Sequence, residues 1–118
     1  MSTIDDIYVR KIFTAEALLT AGTATSSAID LGNKAHTGHF SLQYSKTGSG
    51  VVKVEYLLSN DGKTYAEPST GVDIVSAIAA GAQSDIISFS PEVARWMQIK
   101  ITENGTNTAA FTGWIAIS

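Results

Sequence analysis

The chain has no cysteine. That excludes disulfides, thiolate metal sites and cysteine nucleophiles. Charge is sparse as well. Charged residues are 16% of the total, and eight basic against eleven acidic side chains leave a net charge of −3. A basic stripe for nucleic acid or for an anionic membrane is not expected from that balance. Long apolar runs are missing, and residues 74–82, the longest weakly polar stretch, fall far short of the roughly 20 residues that span a bilayer. The opening Met1-Ser2-Thr3-Ile4-Asp5-Asp6 is acidic, whereas an export signal starts basic and turns apolar. Synthesis in the cytosol without a standard export signal is the expectation. Catalytic signatures are missing too. There is no Gly-x-Ser-x-Gly elbow, no Gly-x-x-x-x-Gly-Lys phosphate loop and no histidine placed for a triad. Neither enzyme activity nor a cofactor is expected. At 118 residues the chain is too short for a doubly wound two-domain enzyme or a large barrel.

What is present is a hydrophobic fraction of 44%, enough for one core, and a regular series of turn signals. Leu31-Gly32-Asn33, Thr47-Gly48-Ser49-Gly50, Asn60-Asp61-Gly62, Ser90-Pro91 and Asn104-Gly105 divide segments rich in β-branched and aromatic residues. Three segments alternate with period two. Phe40, Leu42 and Tyr44 share one face of residues 39–46, and Val52, Val54, Tyr56 and Leu58 share one face of residues 51–58. Met97, Ile99 and Ile101 do so in residues 95–102. Each reads as a half-buried strand. Residues 111–117 read as a closing strand, with weaker strands at 26–31, 71–76 and 85–89. Residues 47–50 suit a hairpin loop, and Asn104-Gly105 suits a tight turn. Residues 14–19 could be a helical turn or a strand, and residues 75–82 a loop or a short helix. The fold class is therefore all-β, an antiparallel β-sandwich of jelly-roll or immunoglobulin-like type. Residues 23–118 form the sandwich, and residues 1–22 an N-terminal arm or an edge strand.

Candidate chemistry is thin. His36 and His39 are the only histidines, and in an extended strand positions i and i+3 face opposite sides, which favours a solvated loop over a metal site. Asn60-Asp61-Gly62 is turn chemistry, and the spacing of a calcium loop is not there. Trp96, Trp114, Tyr56 and Tyr65 are the residues from which an aromatic sugar platform would be built. Trp96, on the polar side of its strand beside Gln98, is the first candidate. Its competing role is packing on a second layer or a partner subunit.

The run from Val52 to Tyr65, a strand, then Ser59-Asn60-Asp61-Gly62, then an aromatic, resembles small β-sandwich virion proteins of tailed bacteriophages. Arg95 to Thr102, Asn104-Gly105 and the closing Gly113-Trp114-Ile115-Ala116-Ile117 fit the same layout, and the likeness covers residues 36–118. It implies a capsid decoration or cement protein that stabilises a shell through protein–protein interfaces. Its partners would be the major capsid protein or another virion protein and further copies of itself, a trimer favoured. Its place would be the virion, after synthesis in the host cytoplasm. Under that implication Ile4, Ile7, Tyr8, Val9, Ile12, Phe13 and Trp96 are the interface residues. An arm made of residues 1–13 could be deleted with assembly weakened and the fold intact. The alternative is a bacterial carbohydrate-binding β-sandwich module.

Overall fold

The structure is a computed structural model that describes residues 7–32, 34, 38–68 and 73–118. Its strands are β1 (Tyr8–Leu18), β2 (Thr23–Thr25), β3 (Ile29–Asp30), β4 (Phe40–Thr47), β5 (Val52–Ser59), β6 (Val75–Ile78), β7 (Gln83–Phe89), β8 (Trp96–Glu103) and β9 (Ala109–Ile117). They form two sheets, one in the order β1-β9-β4-β7 and the other β2-β8-β5-β6 with β3 also on β8. Every pairing is antiparallel. Between β2 and β3, the Ser26 N–H donates to the Ile99 carbonyl at 2.8 Å and the Ser26 hydroxyl accepts the Ile99 N–H at 2.9 Å. The two short pieces thus act as one interrupted edge strand. Counted so, the sheets hold four strands each, in the double Greek-key order of a jelly roll.

The alternating residues meet between the sheets. Phe40, Leu42 and Tyr44 oppose Val52, Val54 and Tyr56, and Met97, Ile99 and Ile101 are wholly buried with Phe111, Ile115 and Ile117. The connections differ from the expected hairpin. The loop at residues 47–50 joins β4 to β5 in the other sheet, and Asn104-Gly105 likewise joins β8 to β9 across the core. Each flanking strand carries one apolar face. Crossing between sheets sets those faces opposite each other, whereas a hairpin would set them side by side. Gly48 at φ +92° and Gly105 at φ +97° turn these corners. Residues 75–78 form a strand, where the sequence allowed a loop or helix.

The N-terminal segment is the outermost strand of the first sheet. β1 pairs with β9 from Tyr8↔Ile117 to Leu18↔Ala109. Residues 14–18 are therefore strand, with tertiary pairing overriding their helical propensity. Phe13 and Leu18 are buried in the core, and Tyr8 and Ile12 pack partly against it. Phe13 is thus withdrawn from any interface, because its ring completes the core. Ile7 and Val9 stay exposed at 54% and 60%. Ile4 lies outside the described residues. Arg10 spans the gap between sheets, donating to the Ala28 carbonyl at 3.1 Å and to the Ser27 hydroxyl. Deleting residues 1–13 removes half of this strand and one core aromatic, so the truncated chain is expected to lose its cooperative thermal transition. Retention of a sharp transition by circular dichroism would restore the detachable arm.

At one end, four crossovers are fastened to two buried charges. The Glu103 carboxylate accepts N–H groups from Ala21 (2.9 Å), Val51 (3.2 Å), Gly105 (2.7 Å), Thr106 (3.1 Å) and Asn107 (3.2 Å), and the Thr106 hydroxyl at 2.8 Å. Lys46 Nζ donates to the carbonyls of Gly48 (3.0 Å) and Gly50 (2.8 Å). Gly81 N–H donates to Gly48, tying in the β6–β7 corner. Burial by itself would raise the Glu103 carboxyl, but the surrounding donors hold it well below the usual range. Burial lowers the Lys46 ammonium, and the nearby Glu103 charge opposes that shift.

Candidate functional site

The two sheets present contrasting outer faces. On the β2-β8-β5-β6 sheet, Lys53, Glu55 and Lys100 turn outward, with Lys53 and Glu55 at 3.6 Å and Glu55 in register with Lys100. Thr23, Thr25, Gln98 and Thr102 fill the positions around them. This is a solvated, charged face.

The outer face of the β1-β9-β4-β7 sheet is built otherwise. Strand register sets its rows as Val9–Ala116–Ser41–Ser88, then Lys11–Trp114–Gln43–Ile86, then Thr112–Ser45–Ser84, then Ala17–Ala110–Thr47. Among the described residues of this face, Lys11 is the only charged one, and it sits on the outermost strand with Nζ 5.4 Å from the centroid of the Trp114 ring. Ile86 is 62% exposed. Short side chains on β4 and β9 leave the middle of the sheet flat, with half-buried Trp114 as its one large ring. A hollow of about 190 Å³ closes one end of the face, lined by Ile7, Ser41, Ser88 and Ala116 among others. Ile7 and Val9 join this surface directly.

The loops opposite the Glu103 end carry the remaining polar chemistry. Asp30 and Arg95 form a two-pronged pair at 2.7 and 3.2 Å, and the bond from Arg95, then that from the Gly32 N–H, lowers Asp30 to about 2. The Arg95 guanidinium lies 5.4 Å from the centroid of the Trp96 ring. The Gly62 backbone approaches the Nε1 edge of the same ring so closely that an added Cβ would sit 3.1 Å from it. Trp96 is thus engaged within its own chain. The Asn60-Asp61-Gly62 turn forms as its residues require. Asp61 Oδ1 accepts the Lys63 and Thr64 N–H groups at 2.9 Å and the Ser59 hydroxyl at 2.8 Å, and those bonds lower Asp61 to about 2. The Tyr56 hydroxyl donates to Glu92 at 2.7 Å, and burial, with Glu92 adding to it, pushes the phenol up to about 12.

A cleft of about 450 Å³ separates the Asn60–Thr64 turn from residues 93–94, and one of about 280 Å³ lies on the far side of those residues, between Leu31, Phe40 and Pro91. Val93, on the wall between them, is 99% exposed. Among the described residues no group of three or more metal-ligating side chains comes together. His39 is exposed, and His36 lies outside the described residues. The four aromatics considered for a sugar platform do not share a surface. Trp96 and Trp114 lie on opposite sheets, and Tyr56 is a core residue. The uncharged face is the surface that reasoning from sequence alone misses. Its members are separated by up to about 100 positions, and only the neighbouring of β1, β9, β4 and β7 makes them contiguous.

No family model matches the chain, and no curated protein resembles it in sequence. Solved structures share its architecture. XepA, an exported protein of PBSX, superposes with a TM-score of 0.64 at 11% identity over 94% of this chain and 37% of that one. A protein of the T13 IBDV viral particle does so with a TM-score of 0.56 at 12% identity over 96% and 31%. A carbohydrate binding module of family 29 gives 0.50 at 12% identity over 93% and 92%. The chain spans about a third of the length of the first two. At such identities the likeness is one of fold: this is a β-sandwich of the kind seen both in viral particles and in carbohydrate-binding modules.

Proposed function

We propose that the chain is a non-enzymatic structural protein of a viral particle, a capsid decoration or cement protein that stabilises its shell by burying protein surface. The observation that carries this reading is the flat outer face of the β1-β9-β4-β7 sheet, with charge confined to Lys11 at its margin. A face of that composition gives up little solvation on contact, and its central tryptophan is the residue type that most often anchors an interface. The likeness in fold to a viral-particle protein agrees with it. The partners are a shell protein and further copies of the chain, and the location is the virion.

The test begins with the genes flanking this one. Shells assembled from the neighbouring capsid protein should sediment together with the chain, saturably, and Gln43→Arg in the centre of the face should abolish the binding. Absence of binding to those shells would overturn the reading. A second reading, carbohydrate binding, draws on Trp114 among the hydroxyl and amide groups of Thr112, Ser45 and Gln43. It predicts a saccharide-dependent quench of tryptophan fluorescence that is lost in Trp114→Ala.

A further inference from the structure

We infer that the outer face of the β1-β9-β4-β7 sheet is the contact between two copies of this chain, packed face to face about a two-fold axis. The inference rests on the reading of the chain as a particle-building module and names the partner of its flat face. A two-fold contact sets each patch against its own copy, so a charge near the axis meets its like. The centre of this face is Gln43, Ser45, Thr112 and Trp114, which bear no charge. Lys11 lies on the outermost strand, where a two-fold leaves it at the rim.

The dimensions suffice. Four strands spaced about 4.8 Å apart, eight residues long at about 3.4 Å each, give a footprint of roughly 500 Å². Two copies bury roughly 1,000 Å², the lower bound for a specific contact. Serine, alanine and threonine side chains let the two backbones approach to about 10 Å, the ordinary spacing of packed sheets.

The edges of the same sheet direct association to the face. β1 breaks register between Lys11 and Phe13 and again between Phe13 and Glu16, with Ala15 at φ +46°. Such bulges spoil a template for strand addition. On β7, Asp85 turns its carboxylate onto the Ile86 N–H at 2.8 Å and adds a charge at the inner rim. An inward charge on an edge strand also opposes pairing with another chain.

Sedimentation velocity from 1 to 200 µM (roughly the range in which a contact of this size equilibrates) reads the outcome. The native chain should shift from monomer to dimer within it. Gln43→Arg and Trp114→Ala, both on the outer face, should weaken the dimer at least about 10-fold, whereas Thr25→Arg on the opposite sheet should not. A native chain that remains monomeric, or forms a trimer, overturns the inference, as does a dimer indifferent to Gln43→Arg. The same samples, spun with shells, separate the two readings. A monomer that binds shells through Gln43 refutes the dimer and keeps the shell protein. A Gln43-dependent dimer that ignores shells keeps the dimer and refutes the decoration role.

Discussion

Phe111→Ala is expected to lower stability by about 3–5 kcal/mol, seen as a fall of about 15–20 °C in the thermal midpoint. The ring is wholly buried on β9. It stacks on Tyr44 at 5.9 Å between centroids and meets Phe13 edge-on at 5.7 Å, linking three adjacent strands of one sheet. Truncation leaves a cavity that the β1 and β4 rings cannot fill without leaving their own positions. The ring also explains Gly113. A Cβ there would lie 2.9 Å from the Phe111 ring, so Gly113→Ala alone should destabilise by overpacking. In the double variant with Phe111→Ala, that second cost should largely vanish, because the obstructing ring is gone. Additive effects in calorimetry would contradict the contact.

Glu103→Gln is the second large effect. One carboxylate answers five backbone N–H groups from three crossovers. An amide keeps one acceptor and replaces the other with a donor aimed at donors. A fall in midpoint on the order of 10 °C is expected, and a larger one for Glu103→Leu, which strands every N–H. The pH dependence follows from the sign of the shift. Folding lowers the Glu103 carboxyl, so its contribution is fully present above the unfolded value near 4.5 and fades as pH falls. Asp30 and Asp61, each lowered to about 2, fade in the same direction between about pH 4 and 2. Stability of the native chain should therefore be level from about pH 5 to 7 and decline below it. In Glu103→Gln the decline should be shallower by about one bound proton. Equal slopes for the two proteins would mean that Glu103 is not held as described.

The alternation in residues 39–46, 51–58 and 95–102 was legible because one face of each strand must be apolar, and the buried rows follow it residue by residue. The same phase carried one step further places Lys46 below Tyr44 and Glu103 below Ile101, on the inner face. A charge at the end of an apolar row reads as the end of the strand. It is the gathered N–H and carbonyl groups of distant loops that make its burial tolerable. The crossovers were illegible for a related reason, since Gly-rich corners look alike whether they return to the same sheet or cross to the other. Of the interface residues, Ile7 and Val9 lie out on the surface as an assembly role needs, and Phe13 does not. The face itself joins Lys11, Gln43, Ile86 and Trp114, whose company depends on topology rather than on any local pattern.

β9 lies between β1 and β4 and is the last strand in chain order. The ladders on both its sides therefore have no partner until residue 117 has left the ribosome. Until then β1, formed first, carries an unmatched apolar row and an open backbone through the whole of translation. Nearly every other pairing is between distant segments, so the late steps are slow by topology. Yield in the cell should thus depend on how long that unfinished state is shielded from its neighbours, and slower synthesis would lengthen the exposure rather than help the fold.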